Sequence, residues 1–145
     1  MRDLSQAEYR ALAEFRYQIR RFLHFSEEQA RAVGLEPQQH QLLLAVQGLP
    51  RGAKSTVSEM AERLQLKHHS VVELIDRLEK HGYVTRNSGH EDRRQVLVHL
   101  TAAGSRVLRK LSLAHHEELE AAGPALAKAL RSLGRQHRAK ETELA

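Results

Sequence analysis

The chain has 145 residues, 41% of them hydrophobic and 28% charged, with a formal net charge of +5. Its length suits one compact domain with a buried core, and the lack of cysteine excludes disulfides, a Cys-based zinc site and thiol redox chemistry. No apolar run is long enough to span a membrane and the start carries no signal-peptide core, so a cytoplasmic protein with no membrane partner is expected.

Residues 4–33 carry apolar side chains at helical spacing, among them Ala11, Leu12, Phe15, Ile19, Phe22, Leu23 and Ala30, with Gly34 as the stop. One long helix is predicted. Pro37 suits the first turn of a second helix that runs to about Val46. Residues 48–54 form a loop. A short helix follows, with Ser58 as its expected N-cap and Glu59 in its first turn. After a brief turn at residues 65–67, Val71, Leu74, Ile75 and Leu78 mark the inner face of a further helix, and Gly82 ends it.

Residues 83–87 and 95–100 read as two strands joined by the polar turn Ser88-Gly89-His90-Glu91-Asp92, and residues 55–57 could add a short third strand. Thr101 suits the N-cap of another helix, whose stripe runs through Val107, Leu108, Leu111, His115 and Leu119. Gly123-Pro124 is expected to break it, with a last helix beyond.

Two helices joined by a short turn, then a hairpin with basic residues at its tip, fit a winged helix-turn-helix. The predicted fold is mainly α with a small β-hairpin wing. Residues 35–100 would form the DNA-binding region, and residues 1–34 and 101–145 a helical dimerisation region. The stripes on the terminal helices need a cover, which a two-fold dimer supplies. Bulk charge does not make the case for nucleic acid. Residues 54–94 hold eight Lys or Arg against seven Asp or Glu. What matters is where each charge points.

The segment Glu91-Asp92-Arg93-Arg94-Gln95-Val96-Leu97-Val98-His99-Leu100-Thr101-Ala102-Ala103-Gly104 resembles the MarR-family pattern D-x-R, strand, L-T-x-x-G. Upstream, Leu78-Glu79-Lys80-His81-Gly82-Tyr83-Val84 is similar to the family's L-E-x-x-G-hydrophobic-V. The resemblance runs in order along nearly the whole chain. It implies a homodimeric transcription regulator, usually a repressor, that binds a pseudo-palindromic operator in double-stranded DNA. It also implies release by a small anionic or phenolic effector. Two positions depart from the pattern. Gly89-His90 replaces the commoner Asp-Pro at the wing tip, and Glu73 stands where a basic residue is frequent.

A recognition helix reaches base edges with its first turns. Lys67, His68, His69 and Ser70 lie near that start, and Val72 and Glu73 lie on the outward side. Arg77 is placed for a phosphate, the alternative being an intrahelical pair with Glu73. At the wing, Arg94 would enter the minor groove and Asp92 would orient it, or the two would simply close the hairpin. Arg93 and Arg86 are candidate phosphate contacts.

An effector cleft could be lined by Phe15, Ile19, Phe22 and Leu43, although such residues at helical spacing are more often core. Ten histidines raise a second possibility, a metal-responsive regulator using His24, Glu36, His40, His115, His116, Glu117 and Glu118. A third is a winged-helix protein-interaction module that does not touch DNA. No P-loop, dinucleotide-binding or nucleophile-elbow motif is present, so neither enzyme activity nor a cofactor is expected.

Overall fold

The computed structural model describes residues 1–89 and 91–144, with the side chains of residues 135–141, 143 and 144 outside the description. Its elements in chain order are α1 (Gln6–Ala32), α2 (Pro37–Gln47), α3 (Val57–Leu64), α4 (His68–Lys80), β1 (Val84–Ser88), β2 (Val96–Leu100) and α5 (Ala102–Leu144). They divide into two compact units, residues 1–28 with 113–145 and residues 29–112. No described helix is long and apolar enough to cross a membrane.

The second unit is built on a core of Leu35, Leu42, Leu43, Met60, Val71, Ile75, Leu78, Val84, Val98, Leu108 and Leu111. Every element from α2 to the start of α5 contributes. The apolar positions of α4 are those its sequence spacing gives: Val71, Leu74, Ile75 and Leu78 are all buried. The two strands pair antiparallel, with Val84 opposite Leu100 and Ser88 opposite Val96. The third strand is reduced to one bridge between Thr56 and Leu97, backed by a bond from the Val98 amide to the Ser55 carbonyl at 3.0 Å.

Local signals explain the helix ends. Glu36 receives no help from a short polar side chain. Instead the Gln39 amide oxygen accepts from the Glu36 backbone N–H at 2.8 Å. The cap of α3 is Thr56 and not Ser58, because Thr56 Oγ1 lies three residues before Glu59 and accepts its N–H at 3.1 Å. Thr56-Val57-Ser58-Glu59 is the S/T-x-x-E pattern that predicts this geometry. Gly82 takes φ +77° at the end of α4, where the chain reverses into β1. Thr101 caps α5, its Oγ1 accepting the Gly104 N–H at 3.1 Å and donating to the Gly82 carbonyl at 2.6 Å.

In the first unit, Ser5 and Glu8 cap α1 reciprocally. The Glu8 N–H donates to Ser5 Oγ at 3.2 Å, and the Ser5 N–H donates to Glu8 Oε2 at 2.7 Å. Deeper in the unit, His115 Nε2 meets the buried Ser26 hydroxyl at 2.8 Å. The edges of Phe22 and Phe25 flank the same ring, with centroids at 5.9 and 5.4 Å. The break expected at Gly123-Pro124 does not occur, and α5 is continuous with Pro124 inside it. Proline removes one helical N–H, a local loss. Ala121, Ala122, Ala125, Leu126 and Ala127 favour helix on both sides.

Candidate nucleic-acid interface

The outward face of α4 follows from its buried face. Successive residues turn by about 100°, so the direction opposite Val71, Ile75 and Leu78 falls near His69, Glu73, Asp76, Arg77 and Lys80. All five are exposed. Lys67 is the N-cap of α4 and makes no side-chain cap bond. The alternative in which His69 or Ser70 merely caps the helix is therefore not realised. Free N–H groups at a helix start, beside Lys67, His68 and His69, suit an anion.

The expected site residues lie on α4 and the wing, and His68, Val72, Arg86 and Arg94 share one groove. Lys67, His68, His69, Glu73 and Arg77 are exposed along α4, and Ser70 and Val72 are half-buried. Asp92, Arg93 and Arg94 are exposed at the wing. Between α4 and the wing runs a groove of about 520 Å³, lined by apolar Val57, Val72, Ile75 and Val96 and by polar His68, Arg86, Arg94 and Gln95. Within it, Arg86 Nε and Gln95 Oε1 are buried without a hydrogen-bond partner among the described residues.

Three cations of this unit are ion-paired among the described residues. Lys54 pairs with Glu91 at 3.1 Å and Arg63 with Glu59 at 3.0 Å. Arg86 binds Asp76 and lies 3.8 Å from Glu79. By contrast, Lys67, Arg77, Arg93 and Arg94 have no carboxylate partner among the described residues. The Arg77–Glu73 pair weighed above is absent from the described ion pairs.

Two expectations need correction. Arg86 is not a free phosphate contact. Asp76 and Glu79 sit three residues apart on α4, facing β1, and together they hold the guanidinium as a strut between wing and helix. Asp92 does not grip the Arg94 guanidinium. Its Oδ1 accepts the Arg94 backbone N–H at 2.9 Å, the two-residue reach of an Asx turn. Bonds from the Gln95 N–H to the Asp92 carbonyl at 3.1 Å and from the Gly89 N–H to the Gln95 carbonyl at 3.0 Å close the same turn. Asp92 thus shapes the wing tip, and the Arg94 side chain has no ion pair among the described residues. His90, the other half of the wing-tip departure, lies outside the described residues.

The remaining candidates are placed as follows. Phe15, Ile19 and Phe22 are half-buried in the first unit, while Leu43 is wholly buried in the core of the second. No three metal-ligating side chains converge among the described residues. His24 pairs with Glu28 at 3.0 Å on an exposed face, His40 is buried in the second unit, and His115 meets Ser26. Sequence reading passed over Asp76 and Gln95. An i, i+3 pair of acids on α4 was the available signal for the first.

A model of the MarR family matches residues 33–95. The chain is 37% identical over 100 residues to the uncharacterized HTH-type transcriptional regulator YcgE of Bacillus subtilis, covering 68% of this chain and 63% of that protein. Across the first three such relatives, the chain spans 40% to 63% of their length. Its fold is similar to the crystal structure of AbsC, a MarR family transcriptional regulator from Streptomyces coelicolor, with a TM-score of 0.74, 21% identity and coverage of 99% and 98% of the two chains. It is also similar to a mutant of MepR from S. aureus bound to an oligodeoxyribonucleotide, with a TM-score of 0.64, 18% identity and coverage of 98% and 96%.

Proposed function

We propose, from the MarR-family match of residues 33–95, that this chain is a MarR-type, sequence-specific DNA-binding transcriptional regulator acting as a homodimeric repressor. One observation carries the reading. Lys67, Arg77 and Lys80 on α4 and Arg93 and Arg94 at the wing are all exposed and have no carboxylate partner among the described residues. Such cations are what a phosphate backbone requires. In this arrangement α4 enters the major groove and Arg94 the adjacent minor groove.

The first unit supports the dimer. Leu12, Leu23, Leu113 and Leu130 are 45%, 49%, 58% and 56% exposed. A two-fold partner would cover them and bring two copies of α4 to one DNA site. Pseudo-palindromic operator symmetry follows from the two-fold axis.

For an effector, the groove between α4 and the wing is the better candidate than the residues read from sequence. An anion with an apolar body would meet Arg94 at the rim and Val57, Val72 and Ile75 below. Bound there, it would compete directly with DNA.

The test is substitution of Arg77. Arg77→Gln is expected to weaken binding about equally for all duplexes and to reduce the salt slope by about 1 per protomer. Unchanged affinity and slope would remove α4 from the interface.

A further inference from the structure

Among the outward residues of α4, Glu73 is the anomaly. It lies roughly opposite the buried stripe, in the second turn of the helix, within the first turns whose side chains reach base edges. It is exposed and has no ion pair among the described residues, although His69 and Arg77 stand one turn to either side. The other carboxylates facing this surface are neutralised or employed. Asp76 and Glu79 hold Arg86, and Asp92 closes the wing turn. A free carboxylate pressed against phosphates costs affinity unless it finds a donor.

Base edges supply one. In the major groove, guanine presents only acceptors and thymine an acceptor and a methyl group. Adenine presents a donor beside the N7 acceptor, which repels a carboxylate. Cytosine N4 presents a donor with no adjacent acceptor of its own. We infer that Glu73 is a specificity-determining residue that selects cytosine at one position in each half-site. This rests on the reading that α4 lies in the major groove. The uncapped, cationic start of α4 and unpaired Arg77 anchor the backbone on either side, so Glu73 carries the choice of base and not the affinity.

The experiment is selection from a pool of randomised duplexes by the full-length protein and by Glu73→Gln and Glu73→Ala. The wild type is expected to enrich cytosine at one position per half-site, by roughly 5- to 100-fold over other bases. Glu73→Gln should shift that position to adenine, whose N6 and N7 match a carboxamide. Glu73→Ala should flatten it and leave the other positions unchanged. Identical base preferences in all three proteins, with a uniform affinity gain in the variants, would overturn the inference and leave the DNA-binding reading intact. Enrichment of no sequence by the wild type would instead overturn the proposed function itself.

Discussion

Between 50 and 200 mM salt, affinity for any one duplex is expected to fall about ten-thousandfold. Lys67, Arg77, Arg93 and Arg94 are the proposed DNA contacts that have no carboxylate partner among the described residues, about eight in a two-fold dimer. Each phosphate neutralised releases condensed counterions, and the logarithmic slope is roughly −0.9 per contact. Eight contacts give a slope near −7, which over a fourfold change in salt amounts to about four decades. Arg86 is left out of this count because Asp76 and Glu79 hold it. Anisotropy titrations at four salt concentrations would measure the slope. A slope shallower than about −3 would mean that most of these cations do not meet phosphates.

Replacing Gly104 with alanine is expected to destabilise the protein by about 3 kcal/mol, at the upper end for overpacking. A Cβ there would lie 2.0 Å from the Tyr83 carbonyl oxygen and 3.0 Å from its carbon. That carbonyl cannot give way. It accepts the Thr101 N–H at 3.0 Å, and the Tyr83 N–H donates to the Leu78 carbonyl at 2.9 Å. Thr101 Oγ1 also donates to the Gly82 carbonyl at 2.6 Å. The end of α4, the base of the wing and the start of α5 therefore meet at one point, and alanine pushes α5 off it. Such a loss is a large share of a typical domain's stability of about 5–15 kcal/mol. Gly134→Ala is the control, with the opposite sign. It lies in α5 with nothing within 4 Å of its Cβ position, so alanine should stabilise by about 0.5–1 kcal/mol. Urea unfolding of both variants decides the matter. Two equal effects would refute the close approach.

Gly104 also shows how far sequence could be read. The run Leu100-Thr101-Ala102-Ala103-Gly104 was legible as a strand end, a cap and a helix start. Why its last residue is glycine was not, because the reason is a carbonyl 21 residues earlier. The same division holds elsewhere. The buried face of α4 was legible because its spacing repeats within one helix. The Arg86 strut was not, because it depends on how β1 lies beside α4. At Pro124 a local breaker signal outweighed the alanines around it, and the helix continues. Leu43 was read as both inward and cleft-lining, and packing decides for the core. At the site, the exposed residues of α4 and the wing were legible as a set. Their pairing was not, and pairing is what separates Arg77 and Arg94 from Arg86.

The most direct test of sequence-specific regulation is fluorescence anisotropy with two duplexes of equal composition. One comes from immediately upstream of the protein's own coding sequence, and the other is its scrambled counterpart. The account predicts salt-sensitive binding to both and a preference of roughly 10³-fold or more for the upstream duplex. Equal affinity for the two, or binding to neither, would contradict it.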